Sequence, residues 1–153
     1  MEEYGSIIAL AALFGFLMKI ADLFNEHGLR WFRGDALLFG VLWGIVGSLL
    51  VMSDPVIANV TLAMVLAVIG QMRIDYLNHA LGSLIVIISF LAAETFDARV
   101  FSLFFASFLI FGILRAYVGD VRGKRDFLYR VIEPGWTPYY VVPLLWGYFT
   151  SHA

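Results

Sequence analysis

The sequence predicts an all-α, polytopic integral membrane protein, a bundle of six transmembrane helices. Of its 153 residues, 61% are hydrophobic and only 14% are charged, whereas soluble domains carry about a quarter charged residues. The mean hydropathy is +0.87. The apolar residues stand in long continuous runs, whereas a membrane barrel would need short alternating segments. The length suits a single transmembrane domain over residues 1–153.

Six apolar segments account for the predicted helices. A helix needs about 20 mostly apolar residues to cross roughly 30 Å of hydrocarbon. The segments are residues 5–24, 36–53, 55–72, 77–93, 100–118 and 136–149. The last one is short and contains Pro138 and Pro143, so it spans fully only if the backbone groups freed by proline find partners. The first segment follows Glu2 and Glu3 rather than a basic region, so we expect it to stay in the mature protein.

The distribution of basic residues predicts the orientation in the membrane. Arginine and lysine concentrate in cytoplasmic connections. Nine of the ten basic residues fall in the first, third and fifth connections or at the adjoining helix ends, and Arg99 alone falls on the other side. We therefore expect the amino terminus outside, and the odd-numbered connections, including the basic 119–135 loop, in the cytoplasm.

Composition also excludes several classes of function. A net charge of −2 argues against nucleic-acid binding, which normally needs a basic face. The absence of cysteine excludes thiol redox chemistry and iron–sulfur ligation within this chain. Membrane lipid is the expected partner, and a homo-oligomer is left open. The Gly40-x-x-x-Gly44-x-x-Gly47 face of the second segment predicts close helix packing.

A polar motif occurs twice along the chain. Residues 18–29 read MKIADLFNEHGL and residues 72–81 read MRIDYLNHAL. Both contain methionine, a basic residue, isoleucine and then Asp-x-x-Asn, followed by histidine directly or after one residue. Single insertions before the aspartate and before the histidine align the two copies. The duplication predicts a bundle of repeated helical hairpins, which bring both copies to the same face of the membrane.

The residue types of this motif suit a metal site. Side chains three and four positions apart share one face of a helix, so the polar groups of each copy should project together. Carboxylate and amide oxygens are ligands for Mg²⁺, and nearby imidazole shifts the preference towards metals such as Mn²⁺. A divalent metal, Mg²⁺ or Mn²⁺, is therefore the predicted cofactor. Its candidate ligands are Asp22, Asn25, Glu26, Asp75 and Asn78.

The same face of the membrane carries candidates for acid–base catalysis and for phosphate binding. Histidine exchanges protons near neutral pH, which makes His27 and His79 the candidate catalytic residues. The candidate phosphate-binding residues are Arg73, Arg115, Arg122, Lys124 and Arg125. Together these residues predict a small membrane enzyme that acts on a lipid or isoprenoid phosphate at the cytoplasmic leaflet.

Other interpretations stay open. The same aspartate and histidine residues would suit the vestibule of a transporter or channel for a cation, a proton or a small solute. Against this, the middle of the predicted spans carries small polar residues rather than ionisable ones, which transporters usually place near the midplane. The chain would also suit an accessory membrane subunit without a site. Polar residues at the ends of spans often only reach the membrane interface.

Overall fold

The computed structural model describes residues 2–26, 28–71, 76–123 and 127. For residues 2–4, 26 and 122 it describes the backbone alone. The described part of the chain is helical, which confirms the predicted all-α class. The helices are α1 Glu2–Glu26, α2 Asp35–Ser53, α3 Pro55–Gly70, α4 Leu77–Ala93 and α5 Ala98–Arg122. The predicted sixth span, residues 136–149, lies outside the described residues.

Three of these helices are long and apolar enough to cross a membrane. The segments concerned are Gly5–Asn25 of α1, Asp35–Ser53 of α2 and Ala98–Val121 of α5. Helices α3 and α4 are apolar too, but they contain only 16 and 17 residues. A membrane protein with several apolar helices is therefore supported, whereas the count of six spans and the hairpin repeat remain predictions.

Aspartate side chains begin two of the helices. Asp54 is the single residue between α2 and α3, and its Oδ1 accepts hydrogen bonds from the amides of Val56 and Ile57 at 2.8 and 3.0 Å. Asp97 caps α5 in the same way. These bonds satisfy amides that a helix start leaves without partners. The tight Asp54 connection places α3 directly beside α2.

Helix α2 packs against α1, α3 and α4, and its glycines allow α4 to approach closely. A Cβ atom on Gly40 would lie 2.6 Å from the Cβ of Asn78, and one on Gly44 would lie 2.8 Å from the Cα of Gly82. The predicted packing role of this glycine face is confirmed. Ser89 of α4 also donates a 2.7 Å hydrogen bond to Ser48 of α2.

Helix α5 packs against α3 and is held there by two amide side chains. Asn59 is fully buried, and its side chain bonds to the carbonyl of Thr95 at 2.7 Å and to the amide of Asp97 at 2.9 Å. Directly after α3, Gln71 donates to the carbonyl of Phe108 at 3.3 Å. A Cβ on the neighbouring Gly112 would meet the end of the Gln71 side chain, which would have to move aside.

Candidate functional site

The two copies of the polar motif meet where α1 ends and α4 begins. The Nδ2 of Asn25 donates a 2.7 Å hydrogen bond to the Oδ1 of Asn78. One helical turn back on α1, the Oδ1 of Asp22 lies 3.2 Å from the Nε2 of His79. Two residues of the first copy therefore contact two residues of the second, although 53 positions separate Asn25 from Asn78 in the sequence.

Asn78 is the structural centre of this junction. Its side chain is 3% exposed, and its Oδ1 also accepts the backbone N–H of His79 at 2.8 Å. Its Nδ2 lies 3.5 Å from the carbonyl of Ala21. The missing side chain at Gly40 admits Asn78 against α2. Because the amide is engaged on both sides, Asn78 fixes the start of α4 relative to α1 and so fixes where His79 lies.

Asp22 and His79 form a partly buried acid–imidazole pair, with side chains 26% and 17% exposed. The carboxylate lies beside the Nε2 edge of the imidazole and can pair with it when the ring carries both protons. The second oxygen of Asp22, Oδ2, lies 3.5 Å from the ammonium of Lys19. Lys19 is two-thirds exposed, so solvent screens most of this attraction. The pair therefore joins the end of α1 to the start of α4 and places an imidazole beside a carboxylate.

A cavity of about 50 Å³ adjoins His79 between α1, α2, α3 and α4. Most of its wall is apolar, and its polar groups come from Trp43, His79 and Ser83. The indole of Trp43 is 2% exposed, and its Nε1 has no hydrogen-bond partner among the described residues. The centroids of the Trp43 and His79 rings lie 6.4 Å apart. The acid–imidazole pair thus borders a small, partly open and mostly apolar cavity.

Asp35 stabilises the connection that follows α1. Its side chain is fully buried, and its two oxygens accept the backbone N–H groups of Trp31 at 2.7 Å, Phe32 at 3.3 Å and Ala36 at 2.7 Å. The guanidinium of Arg30 lies 3.6 Å away. Sequence reasoning missed this residue. The available signal was an aspartate directly before an apolar helix, where a carboxylate can bind free backbone amides.

Several predicted site residues fall outside what the structure describes. His27, Arg73, Asp75, Lys124 and Arg125 lie outside the described residues, as do the side chains of Glu26 and Arg122. Arg115 lies half-buried on α5. Within the described ranges, no three histidine, cysteine, aspartate or glutamate side chains group closely enough to hold a metal ion. The metal-binding and phosphate-binding roles therefore stay predictions.

Comparison with protein-family models, with curated proteins and with solved structures gives no match for this chain. Its function is therefore inferred from the chemistry of the Asp22–His79 junction.

Proposed function

We propose that this chain is a small integral-membrane enzyme that acts on a lipid or isoprenoid phosphate at the cytoplasmic leaflet. The observation that supports the proposal is the 3.2 Å contact between Asp22 and His79 at the junction of the two motif copies. A carboxylate beside an imidazole nitrogen is an arrangement used for general acid–base catalysis. His79 exchanges the proton in the reaction, and Asp22 positions it.

The substrate class follows from the charges expected around the pair. The basic residues of the odd-numbered connections lie on the same side of the membrane in the proposed orientation, and arginine and lysine neutralise phosphate oxygens. A lipid phosphate in the adjoining leaflet would meet both these side chains and His79. Arg115 and the basic segment after α5 are the proposed phosphate contacts.

A divalent metal, Mg²⁺ or Mn²⁺, is the proposed cofactor. Asp22 would help to hold the ion, which would neutralise charge on the phosphate oxygens of the substrate. Asp75 would complete such a site from the second motif copy. Asn78 is a weaker ligand than expected, because its Oδ1 already accepts two N–H groups.

The proposal is tested with purified protein in lipid nanodiscs and a panel of lipid and isoprenoid phosphates, with products identified by mass spectrometry. We expect turnover that falls at least about 100-fold in His79→Gln and Asp22→Asn, the usual range for loss of an acid–base group. Arg99→Gln, on the exposed start of α5, is the matched control and should keep full activity. Chelation with EDTA should stop turnover, and Mg²⁺ or Mn²⁺ should restore it. Full activity of His79→Gln, or no product from any phosphate, would reject the proposal.

A second candidate, a transporter for protons or another small cation, is favoured by one observation. The Asp22–His79 pair, which consists of two ionisable side chains, lies beside a small cavity between four helices. Ion flux into proteoliposomes that is lost in Asp22→Asn, with no lipid phosphate converted, would favour transport over catalysis.

A further inference from the structure

The connection between α1 and α2 is held by hydrogen bonds at both of its ends. Where α1 ends, Gly28 has a φ of 68°, and the amide of Leu29 donates to the carbonyl of Leu23 at 3.2 Å. Both features are typical of a helix that ends in a left-handed glycine. Where α2 begins, the buried Asp35 carboxylate accepts the amide of Trp31 at 2.7 Å. The backbone between these points therefore presents its side chains in a defined arrangement.

The side chains of this connection are exposed, although two of them are large and aromatic. Trp31 and Phe32 are 57% and 50% exposed, and the side chain of Arg30 is 69% exposed. Arg33 is exposed as well. The Trp31 ring packs edge to face against Phe24, with 5.0 Å between the ring centroids, but more than half of the residue stays uncovered. The connection thus combines an anchored indole with two cationic side chains on one short stretch of chain.

The position of the connection places it at the membrane surface. It comprises residues 26–34, between Gly5–Asn25 and Asp35–Ser53, two segments that are long and apolar enough to cross a membrane. A short connection between two spans lies within or next to the lipid headgroups. Tryptophan is enriched at this depth, and long basic side chains extend to the headgroups from it. Lipid is therefore the molecule that these exposed side chains meet.

The charge of the connection favours one kind of lipid. The fully buried Asp35 carboxylate is balanced by three backbone N–H groups and by the guanidinium of Arg30 at 3.6 Å. Arg33 has no carboxylate within ion-pair distance among the described residues. Basic side chains beside a membrane attract anionic lipids, and arginine binds phosphate oxygens through parallel hydrogen bonds. A free phosphate would leave the Trp31 ring uncovered, whereas a phospholipid supplies both a phosphate and an apolar part.

We infer that the 28–34 connection is a binding surface for anionic phospholipid, with the phosphate on Arg30 and Arg33 and the apolar part of the lipid against Trp31. This lipid is a component of the membrane and not the molecule that is converted, so the inference goes beyond the proposed function and does not depend on it. Its consequence is that anionic lipid holds the end of α1, which carries Asp22, at a fixed depth in the membrane.

The test measures which lipid touches Trp31. The protein is reconstituted into vesicles of phosphatidylcholine and phosphatidylglycerol in one fixed ratio, with bromine on the acyl chains of one lipid or of the other. Bromine quenches tryptophan emission at short range, and the difference between wild type and Trp31→Phe isolates this residue among the four tryptophans.

We expect the anionic lipid to be the stronger quencher. One basic side chain near an anionic surface strengthens the attraction about fivefold, so brominated phosphatidylglycerol should quench Trp31 at least about threefold more strongly, per mole, than brominated phosphatidylcholine. High salt should lower this ratio, because it screens exposed charges.

A double variant and a matched control assign the effect to the two arginines. Arg30→Gln combined with Arg33→Gln should reduce the quenching ratio to about one. Arg99→Gln removes the same kind of charge at the exposed start of α5 and should leave the ratio unchanged. If the double variant does not fold, because Arg30 is lost beside the buried Asp35, Arg33→Gln alone should still lower the ratio about twofold or more.

Three results would overturn the inference. Equal quenching by the two lipids in the wild type would mean that the connection does not select anionic lipid. No quenching of Trp31 by either lipid would mean that lipid does not cover the indole. A ratio that persists in the folded double variant would show that other basic residues attract the lipid. The measurement needs no turnover, so its failure and the failure of the proposed function are distinguished.

Discussion

At the residue scale, the contact between Asn25 and Asn78 holds together the helix ends that carry Asp22 and His79. Both amides come from the duplicated motif, and the Asn78 oxygen receives two N–H groups in a buried position. A buried acceptor that loses a donor is costly, whereas an exposed one recovers a bond to water. The asparagines of the motif therefore stabilise the junction at which the acid–imidazole pair forms.

Replacing these asparagines should weaken the fold in a coupled way. We expect Asn25→Ala to lower the free energy of unfolding in detergent by about 1–2 kcal/mol, and Asn78→Ala by more, because it loses further bonds. The double variant should cost less than the sum, with a coupling of about 1 kcal/mol. Ser107→Ala, which loses only a bond within exposed α5, is the control. Strictly additive effects would argue against a direct bond between the two amides.

The site could be predicted only in part from the sequence. The duplication identified Asp22, Asn25, Asn78 and His79, because a repeated polar pattern stands out in an apolar chain. It did not identify which atoms meet, since that depends on how α1 and α4 are offset. Trp43 was not predicted, because nothing in an apolar segment marks a tryptophan whose N–H lacks a partner.

At the element scale, hydropathy predicted where helices occur better than where they end. Helix α1 runs from Glu2 to Glu26 and α5 from Ala98 to Arg122, beyond the apolar segments 5–24 and 100–118. The backbone hydrogen bonds of a helix continue through polar residues as well as apolar ones. The apolar segment therefore marks only the middle of each helix. The start at Pro55 was predictable, because proline suits the first turn of a helix.

The glycine face of α2 gives a prediction at this scale. A Cβ on Gly44 would approach backbone atoms of Gly82 at 2.8 and 3.0 Å, and backbone cannot rotate aside as a side chain can. We expect Gly44→Ala to push α4 away from α2, to lower the free energy of unfolding by about 1–3 kcal/mol and to reduce turnover.

Gly15 of α1 provides the matched control for this substitution. It has open space at the Cβ position, and Gly15→Ala should be neutral or stabilising by up to about 1 kcal/mol. Thermal unfolding in detergent and the phosphate assay measure both variants. A Gly44→Ala protein as stable as Gly15→Ala would mean that α2 and α4 can separate without cost.

At the scale of the whole molecule, the proposed orientation puts the connection after α1 in the cytoplasm and the connection after α4 outside. The chain contains no cysteine, so single cysteines report the exposure of chosen sites without background. Phe32 and Phe96 lie on these two connections and are both about half exposed or more. The same substitution can therefore be compared on the two sides.

A membrane-impermeant maleimide should label Phe96→Cys in intact cells and Phe32→Cys only after the membrane is permeabilised. The expectation follows from the nine-to-one distribution of basic residues between the two sides. The converse pattern would reverse the orientation and would move the Asp22–His79 pair to the outer face. Equal labelling of both sites in intact cells would contradict the proposed crossings.

The two amide contacts between α3 and α5 limit how this bundle can move. Asn59 of α3 bonds to Thr95 and Asp97 just before α5, and Gln71, 12 residues later and directly after α3, bonds to Phe108 of α5; at 1.5 Å per residue the two amides stand about 18 Å apart. The two helices therefore run parallel, and sliding or tilting of one against the other would break a partly buried bond at one end. We therefore expect α3 and α5 to move together in any rearrangement of the bundle.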